Sequence, residues 1–192
     1  MRLENAKQFI IEKLGKELSP DLHYHSLEHV LDVWESALIL ADMEGISNYE
    51  KELLSTAALY HDSGFLFESR NHEERGCQII QETLPRFGYT EIEIAKICGM
   101  VMATKIPQCP KNHLEEILCD ADLDYLGRDD FWKIGNQLFE ELKIMKVVET
   151  ENDWNKIQIK FLESHHYFTS SSIELRSKQK DFHLQSVKEL VV

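Results

Sequence analysis

Apolar residues recur along this chain every three or four positions and almost nowhere alternate. Phe9, Ile10 and Leu14 keep that spacing, as do Val30, Val33, Trp34, Ala37, Leu38 and Ala41, so each set shares one helical face. The pattern predicts helices near 2–18, 25–44, 47–61, 71–84, 90–104, 113–126, 129–146, 151–168 and 171–190. Start and stop signals agree. Ser47 with Glu50 and Thr90 with Glu93 read as capping boxes, and Gly45, Gly88 and Gly127 fall where C-caps belong. Pro20, Pro85, Pro107 and Pro110 lie near the breaks, whereas Gly99 and Gly135 mark close helix packing. Trp34, Trp132 and Trp154 read as core anchors, and 105–112 is the largest irregular stretch. The expected fold class is all-α, a bundle of eight to nine helices.

Length and composition add bounds. The 192 residues, 43% apolar and 29% charged, suit a single domain over 1–192 with a substantial core. A net charge of -13 argues against binding long nucleic acid. No segment resembles a signal peptide or approaches a membrane span, so the expected location is cytoplasmic with no membrane partner. Cys77, Cys98, Cys109 and Cys119 form no CxxC pair and read as reduced, mostly buried thiols. Oligomeric state leaves no mark in the sequence.

The chemistry concentrates in three segments. His61-Asp62 closes the apolar run Leu53–Tyr60, upstream lies His25-Ser26-Leu27-Glu28-His29, and downstream lies Asp120-Ala121-Asp122-Leu123-Asp124. Imidazole and carboxylate together suit borderline and hard divalent ions. His25 and His29, four apart on one expected helix, share a face, and His29 sits beside the apolar stripe. Asp120 and Asp122 point to different faces, so either could join the site.

These segments resemble the HD-domain superfamily of metal-dependent phosphohydrolases. Tyr24-His25-Ser26-Leu27-Glu28-His29 is similar to a YHNxxH segment found in one bacterial subgroup, and Ala57–Asp62 to its HD ligand pair. Asn71-His72-Glu73-Glu74-Arg75-Gly76 is similar to its NEERS segment, and Asp120–Leu123 to its DADL segment. The resemblance runs from about Tyr24 to Gly127, continues weakly through His165–Thr169, and implies an HD-type bundle with a core over 24–127 and the helices of 129–190 packed on it. It implies His29, His61, Asp62 and Asp122 as ligands of one divalent ion: Mn, Fe, Ni, Zn, Co or Mg. Two-metal members add histidines after the HD pair. His72 could be one, but Ala103-Thr104-Lys105 stands where the second would fall.

The implied activity is hydrolysis of a small phosphorylated substrate, a nucleotide among the classes, by a metal-activated water. Asp62 would orient that water, Glu73 or His72 would handle the proton, and His25, Lys105 and Arg128 would contact substrate, with Arg75 a further cation. The contrasting function is a non-catalytic HD-fold module that binds a nucleotide or partner around a structural metal. His25–His29 also spells HxxEH, the inverzincin pattern, but that reading leaves His61-Asp62 unexplained. His165-His166 could face the pocket, and Arg176, Lys178 and Lys180 read as a surface cluster.

Overall fold

A computed structural model describes residues 2–191. They fold into nine α-helices: α1 Arg2–Glu17, α2 Leu27–Met43, α3 Asn48–Tyr60, α4 His72–Thr83, α5 Glu91–Ala103, α6 His113–Asp122, α7 Phe131–Ile144, α8 Glu151–Ser164 and α9 Ser170–Glu189. Short 3-10 turns occupy Ser63–Leu66, Leu84–Phe87 and Asp124–Gly127. Among the described residues there is no strand, and no helix is long and apolar enough to cross a membrane.

The helices start where the sequence offers acceptors. Ser47, Thr90 and Thr150 each close a capping box with Glu50, Glu93 and Asp153. Ser26, in extended conformation, accepts from the His29 amide and starts α2 at Leu27. His25 therefore precedes the helix that the sequence pattern expected to carry it. Gly45 and Gly88 take the positive φ expected of C-caps. Gly127 does not; a Cβ there would stand 2.5 Å from the Arg176 carbonyl oxygen, so this glycine permits α9 to cross close by. The expected helix 113–126 ends at Asp122 and tightens into a 3-10 turn, and that over 151–168 ends at Ser164.

The main core joins α1 to α6. Ile10, Leu14, Val33, Leu53, Leu54 and Ile97 are fully buried within it. A second cluster, with Leu126, Phe131, Leu162 and Val187, unites the 124–127 turn with α7, α8 and α9. Trp34 packs on the first cluster, and Trp154 is buried in a third with Phe139 and Val148. Trp132 corrects the sequence expectation: it lies off the α7 apolar stripe and is exposed. So does the basic cluster, of which only Lys178 is exposed. Lys180 is buried and donates to the His165 carbonyl, while Arg176 pairs with Asp124 at 2.7 and 3.1 Å. The four cysteines are free; Cys77 and Cys119 are buried, Cys98 is half-buried and Cys109 exposed.

Candidate metal centre

Three helix ends of the main core meet at one point. His29 enters from the first turn of α2, His61 caps the C-terminus of α3 with Asp62 next, and Asp122 ends α6. His29 Nε2 lies 3.3 Å from His61 Nε2, 3.4 Å from Asp62 Oδ2 and 3.3 Å from Asp122 Oδ1. His61 Nε2 lies 3.3 Å from Asp62 Oδ2 and 3.4 Å from Asp122 Oδ1. With bonds of about 2.0–2.2 Å, neighbouring ligands stand about 3 Å apart on an octahedral ion and about 3.4 Å apart on a tetrahedral one. The cluster has the dimensions of a coordination shell. One ligand atom each of His29, His61 and Asp122 lies within 4.8 Å of the other two. Asp62 Oδ2 joins them by distance and is a buried oxygen without a hydrogen-bond partner. Such an atom is costly unless something pairs with it, and a divalent ion fits.

The surroundings prepare these donors. The Ala58 carbonyl can only accept, so His61 Nδ1, 2.8 Å away, carries the proton and Nε2 presents a lone pair to the cluster. Burial opposes charging of both imidazoles, yet Asp122 and Asp62 outweigh it and hold His29 and His61 above the ordinary histidine value. Burial likewise opposes the Asp122 charge, but the His29 and His61 imidazoles beside it bring its pKa down to about 2. Asp62 is also held low. A cation therefore replaces protons that the two carboxylates already attract.

Glu73 and His72 open α4 beside the cluster. His72 Nε2 stands 3.4 Å from both Asp62 Oδ1 and Glu73 Oε1. Its Nδ1 donates to the Ser69 carbonyl at 3.0 Å, which turns Nε2 toward the two carboxylates. Glu73 is buried despite its charge. Gly64 makes this approach possible, because a Cβ there would stand 1.8 Å from the His72 carbonyl oxygen. His25 stacks on Phe65 with ring centroids 3.9 Å apart, and Phe65 lies 4.2 Å from the His72 ring.

These groups line one end of a cavity of about 430 Å³, with Tyr24, Thr104, His25, His72, Glu73, Asp62 and Asp122 at that end. Thr104 follows the last turn of α5. Lys105 and Arg128 do not line this cavity. Lys105 pairs with Glu74. Arg128 is held by Asp32 at 2.9 Å and Asp130 at 2.7 Å, against a separate hollow on the far side of His29. Arg75 binds Glu68 at 2.7 Å. His165 and His166 line another small hollow with Phe168. Asp120 turns away from the cluster and accepts from the Phe168 and Thr169 amides at 2.9 and 2.8 Å.

Sequence reasoning overlooked Glu141. This fully buried carboxylate on α7 accepts from the Tyr24 and His25 amides at 2.9 and 3.0 Å and engages His25 Nδ1. The signal was present: Glu141 lies three residues after Leu138, on the apolar stripe, where a solvated charge has no place. Tyr24, which lines the cavity, and Phe65, which packs on the His25 and His72 rings, were also missed.

The chain is thus a helical bundle with a His/Asp cluster able to hold a metal ion where three helix ends converge. It belongs to the HD domain family, whose pattern matches residues 26–124 and so spans all four cluster residues. No curated protein and no solved structure matches it significantly.

Proposed function

We propose that this protein is a metal-dependent phosphohydrolase of the cytoplasm, cleaving a phosphate ester or anhydride of a small metabolite or nucleotide. The observation that carries the reading is the unpartnered Asp62 Oδ2, set among two imidazoles and Asp122 at the end of a cavity that also holds Glu73 and His72. A purely structural metal site would be closed on all sides. The four free thiols suit a reducing compartment.

When bound, a divalent ion there supplies a water of lowered pKa and polarises a phosphoryl oxygen. The chain's own residues do the rest. His29, His61, Asp62 and Asp122 would hold the ion. Glu73 or His72 accepts the proton of the attacking water. As the P–O ester bond breaks, the same group returns a proton to the leaving oxygen. Glu141 locks His25, and the His25–Phe65–His72 stack holds the His72 ring in place.

Assay of phosphomonoesters and nucleotides with Mn, Ni, Co, Zn and Mg tests this. Turnover should vanish with chelator and in Asp62→Ala, while the circular dichroism of that variant stays helical. A broad panel showing no turnover above Asp62→Ala would replace this reading with that of a binding module.

A further inference from the structure

The far end of the same cavity does not look like a nucleotide site. α7 turns Phe131, Leu138 and Leu142 to it, and α8 turns Trp154, Phe161 and Leu162. Each set keeps one helical face, so two apolar stripes confront each other across space that no side chain of the chain fills. Phe139 on Trp154, with centroids 6.4 Å apart, joins the helices near their connection. The lining residues most open to solvent are Ile106, Val147 and Ile157, so the mouth is apolar too. Along the α7–α8 wall the one polar side chain is Gln158, whose amide already donates to Asn155 at 3.2 Å.

Charge points the same way. No lysine or arginine lines the cavity among the described residues, and three carboxylates do: Asp62, Glu73 and Asp122. A di- or triphosphate would find no counter-charge beyond the ion itself. A base and ribose in the far half would bury polar edges without partners, at a cost of roughly 1–3 kcal/mol each. A hydrocarbon chain meets neither obstacle. At about 430 Å³ the cavity is in the usual range for a small ligand, about 300–1,000 Å³.

Resting on the phosphohydrolase reading, we infer that the substrate is a phosphomonoester of a single apolar chain. Its phosphate lies at the His/Asp cluster and its alkyl or aryl tail lies between α7 and α8. Hydrolysis adds water across the P–O bond and yields inorganic phosphate and an apolar alcohol. With about 430 Å³, the cavity suits one short chain rather than the two acyl chains of a membrane lipid.

The test separates binding from turnover. Titrate the metal-loaded Glu73→Gln protein, in which turnover is slowed, with butyl, hexyl and octyl phosphate by calorimetry, all below micelle formation. Affinity should rise about threefold to fourfold per methylene, the effect of burying about 0.8 kcal/mol of CH₂. Adenosine monophosphate should bind no better than butyl phosphate. Leu142→Asp, checked for helical content and cooperative unfolding, should flatten the series. Ile157→Asp at the mouth serves the same purpose if Leu142→Asp fails to fold. In the metal-loaded wild type, kcat/KM should follow the same slope. A flat series, or tighter adenosine monophosphate, overturns the assignment, and turnover of short phosphates would then leave the hydrolase reading intact. A steep series without turnover under any metal keeps the tail site and removes the hydrolase reading. Cleavage of phosphatidic acid in phosphatidylcholine vesicles ahead of octyl phosphate would overturn the soluble single-chain assignment.

Discussion

Asp120 and Asp122 stand two residues apart in the last turn of α6 and are used in opposite ways. Asp120 is wholly buried and saturated: the Phe168 and Thr169 amides and the Thr169 hydroxyl, at 2.7 Å, all donate to it. It ties α6 to the segment that starts α9. Asp122 faces the other way, toward imidazoles 3.3 and 3.4 Å distant, beside the unpartnered oxygen of Asp62. The contrast extends across the molecule. Asp124 is held by Arg176, Glu93 by Arg2 and Thr90, and Glu141 by two amides and His25. A buried carboxylate whose oxygens are satisfied by the chain builds the scaffold, and one left short marks where something else binds.

The largest test of this division is Asp120→Ala. It strips two buried amides and a hydroxyl of their acceptor and should lower unfolding free energy by about 4 kcal/mol, read from urea denaturation. A loss below about 1 kcal/mol would place Asp120 outside the scaffold set. Next is Glu73→Gln, which keeps the shape but not the base. Turnover should fall about a hundredfold with thermal stability nearly unchanged. Near-normal turnover would move the proton to His72. Third, Mn or Ni at tenfold excess over its Kd should stabilise the wild type by about 1.4 kcal/mol. Asp122→Asn should abolish that gain, whereas a folded Asp120→Asn should retain it. The smallest effect concerns acid. Arg2 holds Glu93 at a pKa of about 2 in the fold. A depressed carboxylate stabilises above its unfolded value, and that stability is lost as pH falls from about 4.5 toward 2. Because Arg2 is partly exposed, the pair should contribute on the order of 1 kcal/mol. Comparing urea midpoints at pH 7 and pH 3 for wild type and Arg2→Ala should show the extra acid loss in the wild type alone.

Helices and their caps were legible because each rests on local pattern: apolar spacing of three and four, and Ser or Thr three residues before an acid. The early end of α6 was not, since Leu123 and Leu126 continue the apolar pattern through a 3-10 turn and periodicity does not register the change. The cluster segments were legible as ligand types in helical context. The choice between Asp120 and Asp122 came from the family resemblance, because two aspartates in one turn differ only in what they face. Lys105 and Arg128 show the converse. Nearness in sequence put them beside the cluster, but Glu74 and the Asp32–Asp130 pair, remote or unremarked, decide where their charges go. The cavity between α7 and α8 was invisible, because an apolar stripe facing empty space reads the same as one facing a packed neighbour.

The close passage of Gly64 beneath the His72 carbonyl bears on how such a chain can change over generations. With a Cβ confined to 1.8 Å from that oxygen, replacement by any other residue must shift the Ser63–Leu66 turn or the start of α4. Either shift displaces Asp62 or His72 along with it. Gly64 supplies no ligand atom, yet a mutational scan would find it nearly as intolerant as one that does. New substrate preferences are then open to this lineage through the α7–α8 wall, where side chains can be exchanged one at a time, while the turn behind the His/Asp cluster stays fixed.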